Sequence, residues 1–399
     1  MTTTPGPTAD VTGMRADEAE RFRPRHAYVH VPFCARRCSY CDFSIAVRRD
    51  VPVAEYLRAL DTELSLRYSG ASRDGMADEW TLDTLYFGGG TPSRLGGGGL
   101  AAAVDVIRRY AQLAPDAEVT AEVNPEDILP GVVRKLVDAG INRLSIGAQS
   151  FDDQALAWMH RVHDAGKVSE AVSLARAEGI LNISLDLIFA LPTVIRRSWD
   201  RDVETALALE PQHLSLYGLT VEPATPLGRW AARGEVEEAP DDRYESEFLR
   251  ANALLGAAGF EHYEVSSFAR ANARSRHNSV YWKGVPYAGL GPSAHEFDGQ
   301  VRRWNVAAYV SWNSRLREGI DPLGGQELLT EANRTAETVY LGLRTADGLA
   351  LEPGEEADLV APWVAAGWAE VAGGRLRLSP LGWLRLDALA TSLTAWRSR

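Results

Sequence analysis

From His26 onward, short runs rich in Val, Ile, Leu and Tyr alternate with longer segments whose apolar residues recur at helical spacing. Parallel strands need long crossover connections, so this alternation predicts a parallel sheet covered by helices. The strand candidates are Ala27 to Val31, Leu82 to Phe87, Glu118 to Val123, Arg143 to Gly147, Asn182 to Leu187 and His213 to Leu219. In the first crossover, Val53, Tyr56, Leu57, Leu60 and Leu64 form one stripe, and the same periodicity predicts that Glu55, Arg58 and Glu63 face water. These six runs are fewer strands than a closed (β/α) barrel uses. The expected fold is therefore α/β, a partial (β/α)6 barrel whose ligands sit at the strand C-termini.

The pattern also divides the chain. Residues 1–22 lack apolar periodicity and predict a disordered tail. The barrel is expected over 23–239. A C-terminal α+β module is expected over 240–328, with a helix at Tyr244 to Leu255, an extended stretch at Tyr263 to Phe268 and a Gly-, Trp- and Tyr-rich segment to Phe297. Residues 329–399 offer a helix through Val339 and Leu343, another near Ala361 to Ala366, a hairpin at Gly373-Gly374 and a last helix from Pro380, an order that predicts a small winged-helix-like appendage.

A 399-residue chain with 45% hydrophobic content can bury a large core. The formal net charge of −12 argues against nucleic acid as a main partner. The appendage carries no basic stripe over Arg344 to Glu352, so packing or docking is its expected role. No run approaches the roughly 18 apolar residues of a membrane span, and the N-terminus has no signal-peptide pattern, which predicts a cytoplasmic protein that is not integral to a membrane.

His30-Val-Pro-Phe-Cys34-Ala-Arg-Arg-Cys38-Ser-Tyr-Cys41 puts three thiols in the spacing C-x3-C-x2-C, in the loop after the first strand, and the chain has no other cysteine. A disulfide framework would spread an even number of cysteines along the chain. A loop that wraps an iron–sulfur cubane can give thiolates to all but one iron and leave that iron open to a substrate. The competing reading is zinc, with His30 or His26 completing a tetrahedral set. Unusual residues follow the other strands too: Gly88 to Thr91 after the second, Glu122 at the third, Gln149 beyond the fourth and Asp186 in the fifth. Consecutive glycines let backbone amides approach a ligand, and polar residues at strand ends suit ribose and carboxylate recognition. Gly96 to Gly99 read instead as a loose linker before a helix.

Taken in order, Tyr28-x-His30-x-Pro32-Phe33-Cys34, Gly88-Gly89-Gly90-Thr91-Pro92, Glu122-x-Asn124-Pro125, Ser145-Ile-Gly147-Ala148-Gln149-Ser150-Phe151 and Asp186-Leu-Ile-Phe-Ala190-Leu191-Pro192 resemble the radical S-adenosylmethionine (radical SAM) superfamily. The resemblance is to the branch that holds oxygen-independent coproporphyrinogen III oxidases and HemW-type heme chaperones, and it runs from about Tyr28 to Phe297. It implies a [4Fe-4S] cluster on Cys34, Cys38 and Cys41, and reduction of a bound sulfonium to a 5′-deoxyadenosyl radical. It also implies S-adenosylmethionine held by Tyr28, Gly89, Gly90, Thr91, Glu122, Gln149, Arg161, Asp186 and Thr220. Ala190 stands where a Gly usually precedes Leu-Pro, and Ala148 where Val is common.

Within that branch the oxidases resemble C-x3-C-x2-C-x-C, whereas here Asp42-Phe43 follow Cys41, as in the chaperones. His277-Asn278-x-x-Tyr281-Trp282 resembles their H-N-x-x-Y-W motif. The resemblance then implies a chaperone that binds heme and delivers it to acceptor proteins, with His277 contacting heme, Asn278, Tyr281 and Trp282 beside it, and His295 as a second candidate. A hydrogen-bonded core histidine is the other reading of His277. The rival function is coproporphyrinogen III oxidase, which converts two propionates to vinyl groups with release of carbon dioxide and forms protoporphyrinogen IX. A protein that acts by interaction alone, its cluster structural, is the third reading.

Overall fold

The computed structural model describes residues 22–68 and 80–398, so all but Phe22 of the expected tail lies outside the described residues. Each expected strand forms. In chain order the barrel strands and their crossovers are β1 (His26–Val31), the short β2 (Phe33–Cys34) and β3 (Ala46–Val47), α1 (Val53–Tyr68), β4 (Thr81–Gly89), α2 (Gly96–Arg108) and β5 (Gln112–Val123). They continue with α3 (Val132–Asp138), β6 (Arg143–Gln149), α4 (Asp153–Trp158), α5 (Ala165–Ala177), β7 (Asn182–Phe189), α6 (Trp199–Ala208) and β8 (His213–Gly218). Period-two alternation decides the two faces. Val29, Leu85, Val119, Leu144, Leu185 and Leu214 belong to the main apolar core, while Tyr86, Glu122, Ser145 and Asp186 alternate with them on the inner face. A barrel filled only for packing would carry branched apolar residues there. This interior is polar.

After α7 (Pro226–Ala232) and α8 (Asp241–Ala257) come β9 (Glu261–Glu264), β10 (Ser267–Ala269), α9 (Arg276–Trp282) and β11 (Ala288–Leu290). These strands join the barrel sheet at both edges, giving a nine-stranded order β11-β1-β4-β5-β6-β7-β8-β10-β9. The ladder is parallel from β11 to β8 and antiparallel beyond it. The end strands do not pair with each other, so the barrel stays open. Residues beyond β11 add an antiparallel sheet of β12 (His295–Phe297), β13 (Val301–Asn305) and β14 (Leu323–Leu328), with α10 (Tyr309–Arg317) between its last two strands. The chain ends in α11 (Glu331–Leu343), β15 (Leu349–Ala350), α12 (Ala361–Ala365), the hairpin β16 (Ala369–Ala372) and β17 (Arg375–Leu378), α13 (Pro380–Trp383) and α14 (Leu386–Arg397).

Two local expectations fail for physical reasons. Gly96 to Gly99 form the first turn of α2 and no linker. A Cβ at Gly97 would lie 2.8 Å from the Val132 carbonyl oxygen of the neighbouring α3, so the glycine permits a close helix contact that outweighs its poor helix propensity. Glu63 is 0% exposed, although helical spacing set it toward water. Its carboxylate accepts from the backbone N–H of Gly291 at 2.8 Å, Asn305 Nδ2 at 2.6 Å and Trp312 Nε1 at 3.1 Å, and pairs with Arg67 Nη1 at 3.1 Å. The C-terminal segment covers α1 on this side, which a one-helix pattern cannot show. Burial pushes the Glu63 carboxyl up, and Arg67 with the three donors opposes that.

Removing one partner of a buried, hydrogen-bonded charge pair costs about 3–5 kcal/mol. Glu63→Ala is therefore expected to destabilise the protein by about that amount in urea unfolding, with Glu63→Gln intermediate. A change below about 1 kcal/mol in the alanine variant contradicts the buried network.

Candidate cluster and S-adenosylmethionine site

The cysteine loop is closed by its own parallel pair. Ala46 N donates to Pro32 O at 2.7 Å and Arg48 N to Cys34 O at 3.0 Å, so β2 and β3 tie the two ends of the segment that carries all three thiols. Cys34 is buried, Cys38 and Cys41 are half-buried, and none is in a disulfide. Cys34 Sγ and Thr91 Oγ1 are 3.4 Å apart, and Arg161 Nη1 donates to Cys38 Sγ at 3.5 Å. Burial pushes the Cys34 thiol up and that of Cys41 up to about 11.

Neither histidine of the zinc reading is placed to complete a tetrahedral set. The His30 ring uses Nε2 on Ser44 O at 3.1 Å and Nδ1 on Tyr28 Oη at 3.2 Å, and burial lowers its pKa to about 4. His26 lies at the far end of β1, bonded to Thr84 Oγ1 at 3.0 Å. Among the described residues no three His, Cys, Asp or Glu side chains converge as a single metal ion requires.

The three cysteines open into a cavity of about 450 Å³ that is also lined by Gly89, Gly90, Thr91, Glu122, Gln149, Arg161, Asp186 and Thr220. The ends of six separate strands therefore meet at one mouth. Tyr28 is the exception: it does not line this cavity. Its ring lies deeper in the barrel, 6.1 Å from Tyr86 and 6.5 Å from His277. The glycines answer first to the protein itself. A Cβ on Gly89, whose φ is +112°, would meet the His30 ring at 2.5 Å, and one on Gly90 would meet Pro32 at 2.7 Å. The Gly89 N–H donates to Glu122 Oε2 at 3.1 Å, and Tyr86 Oη donates to Glu122 Oε1 at 2.9 Å.

Burial pushes Glu122 up to about 7, the Asp186 charge adds to this, and the Tyr86 and Gly89 bonds with the Arg143 charge oppose it. Asp186 is likewise raised by burial and accepts from Ser145 Oγ at 3.1 Å. Arg143, 1% exposed at the start of β6, makes no hydrogen bond from Nε or Nη1 among the described residues, and its field acts on both carboxylates. Pattern reading passed over Arg143, Tyr40, Asn124, Glu126 and His163. Arg161 Nη2 donates to Asn124 Oδ1 at 2.7 Å and to Gly147 O at 3.0 Å, and His163 bridges Glu126 at 3.2 Å and Ala148 O at 3.1 Å. Asn124 was visible in the Glu-x-Asn-Pro motif, and Tyr40 between the second and third cysteines. Ala190 has φ 55°, a left-handed backbone that explains a family preference for glycine there.

The motif expected to contact heme lies elsewhere. His277 on α9 is 0% exposed. Its Nδ1 is 2.7 Å from Thr84 Oγ1 and its Nε2 2.8 Å from Tyr281 Oη, so neither ring nitrogen is open to an iron in this arrangement, and burial lowers its pKa to about 3. Thr84 is near the start of β4, at the opposite end of the sheet from the cysteines. Asn278 and Trp282 share that short helix. Trp282 is stacked under Arg344 at 4.8 Å and borders a separate crevice of about 930 Å³. His295 stacks on Trp304 at 5.9 Å and is not among the residues that line the cysteine cavity. Among the described residues no helix is long and apolar enough to cross a membrane.

The Radical SAM superfamily model matches residues 28–206. The chain is 38% identical over 376 residues to the protein named heme chaperone HemW of Mycobacterium tuberculosis, covering 93% of this chain and 95% of that one. It is 34% identical to that of Bacillus subtilis, covering 82% and 84%. It is 37% identical to the Bos taurus protein named radical S-adenosyl methionine domain-containing protein 1, mitochondrial, covering 86% and 78%. Its fold matches the coproporphyrinogen III oxidase HemN of Escherichia coli with a TM-score of 0.78 at 23% identity, over 94% of this chain and 92% of that one.

The raised Glu122 carries a sign. A carboxyl whose folded value, about 7, lies above its unfolded value makes the ionised fold less stable, fully above pH 7 and not at all below the unfolded value. Glu122→Gln is therefore expected to raise the melting temperature of the cofactor-free protein at pH 8, and the gain is expected to vanish near pH 4. A gain independent of pH contradicts the raised value.

Proposed function

The chain belongs to the radical SAM superfamily and, within it, to the family of the HemW proteins, and from that membership we propose that it is a cytoplasmic heme chaperone. In this reading it binds a [4Fe-4S] cluster on Cys34, Cys38 and Cys41, S-adenosylmethionine in the adjoining cavity, and heme, which it passes to acceptor proteins. The observation that carries the cofactor part is the joint lining of one cavity by the three thiols and the polar ends of separate strands. The donor set suits the cluster: three sulfurs in one loop, beside a His30 ring whose two nitrogens are bonded to Ser44 and Tyr28. The heme part rests on the HemW relatives, which span most of both chains.

Bound together, cluster and S-adenosylmethionine supply one-electron chemistry at the sulfonium. The residues of this chain do the binding. Thr91 and Arg161 sit on the sulfurs of Cys34 and Cys38, and Arg161 brings a positive charge to thiolates. Glu122, ionised above pH 7, suits a cationic amino group, and Asp186 suits hydroxyl donors. His30 holds the far side of the cysteine loop through Ser44 and fills the space left by Gly89.

Anaerobically reconstituted protein is expected to hold about four iron and four sulfide per chain, and to take up heme stoichiometrically in a Soret titration. Cys34→Ser, Cys38→Ser and Cys41→Ser are expected to lose the iron. Absence of heme uptake by the unsubstituted protein, or accumulation of protoporphyrinogen IX from coproporphyrinogen III under reducing conditions with S-adenosylmethionine, contradicts the chaperone reading.

A further inference from the structure

We propose that Arg143 is a positioning residue of the cofactor site: without lining the cavity, its buried charge holds Glu122 and Asp186 as the carboxylates that take the cofactor's ammonium and hydroxyl groups. The inference rests on the S-adenosylmethionine reading above. Arg143 is 1% exposed and is not among the residues that line the cysteine cavity. The sheet places it between the two acids. It lies on β6, flanked by β5 with Glu122 and by β7 with Asp186. The ladder sets Arg143 level with Thr120 and Asn182, and two residues later it sets Ser145 level with Glu122 and Ser184. Side chains two residues apart share a face, so Arg143, Glu122, Ser145 and Asp186 all belong to the inner one. Arg143 stands one pleat below Glu122, and Ser145 Oγ donates to Asp186 at 3.1 Å one pleat above that.

Bonding does not account for this side chain. Nε and Nη1 of Arg143 make no hydrogen bond among the described residues, and neither do Thr120 Oγ1 and Asn182 Oδ1 on the two strands beside it. A buried cation is costly unless opposite charge answers it, and Glu122 and Asp186 are the acids on the adjoining strands. The remaining groups that face them are neutral at pH 7. Tyr28 of β1, Tyr86 of β4, Tyr217 of β8 and Tyr281 of α9 surround Glu122, and all stay protonated. Serines 145, 184 and 215 bond Asp186. His213 of β8 and His277 of α9 feel the Arg143 charge and are kept neutral mainly by burial, and Tyr263 of β9 is protonated. Arg143 is the one cation of this set. Arg161, in the cavity wall, is engaged with Cys38, Asn124 and Gly147.

The test is the affinity of radiolabelled S-adenosylmethionine for the reconstituted protein from about pH 6 to about pH 8.5, measured beside Arg143→Met and Arg143→Lys. Glu122 stands at about 7 with the cation present, so its removal acts within that range. Arg143→Met leaves both carboxyls harder to ionise. It is expected to bind about tenfold weaker at pH 7 and to move the midpoint of binding about one unit to higher pH. Arg143→Lys keeps the charge and is expected to stay within about threefold of the unsubstituted protein, its midpoint in place. The cofactor's own ammonium titrates near pH 8 in every case, so the comparison is between variants. A midpoint that does not move in Arg143→Met overturns the inference, and so does equal weakening by both substitutions at every pH. Should Arg143→Met hold no iron, Arg143→Gln, neutral and polar, carries the comparison. Failure of the unsubstituted protein to bind the cofactor overturns the S-adenosylmethionine reading together with the inference.

Discussion

Strands that run parallel end on the same side, and the whole site follows from that constraint. Each crossover returns the chain to the far edge, so the loop after every strand arrives at one mouth. The cysteines follow β1, the glycines end β4, Glu122 lies near the end of β5, Gln149 ends β6 and Asp186 sits within β7. No single segment here could form a cofactor site. The ladder register sets Val31 level with Gly89 and Glu122 level with Ser145, so these strand ends stand side by side.

That arrangement is held by polar contacts as much as by the core. Glu122 and Asp186 raise the free energy of an ionised interior, and the Arg143 charge offsets part of it, with Nε and Nη1 making no hydrogen bond among the described residues. On the outer side, Glu63 ties α1 to Gly291 and Asn305. A Cβ at Gly291 would fall 2.4 Å from the carbonyl oxygen of His30. The loop that carries the cysteines thus begins from a strand braced on its far side by the C-terminal segment. This explains why β11, late in the chain, pairs with β1 at the start.

The barrel strands and the cysteine motif were legible because each rests on local pattern: period-two runs bounded by glycine, and a spacing that few other chemistries need. What was not legible depends on neighbours distant in sequence. Glu63 looked solvent-facing because a helical stripe reports one partner surface, and its second surface comes from residues beyond 290. Gly96 to Gly99 looked like a linker because propensity says nothing of the Val132 carbonyl that a side chain would strike. Composition also cannot reveal that both imidazole nitrogens of His277 are bonded, to Thr84 and Tyr281. The edge strands β9 to β11 are three or four residues long, too short for periodicity to show.

The proposed function depends on three thiols leaving one iron of a cubane free for the cofactor beside it. Electron paramagnetic resonance of the reduced, reconstituted protein tests this most directly, recorded before and after addition of S-adenosylmethionine. The cluster signal is expected to change shape when S-adenosylmethionine is added and to stay constant in Glu122→Ala. A protein that binds zinc in place of iron, or a cluster signal indifferent to S-adenosylmethionine, contradicts it.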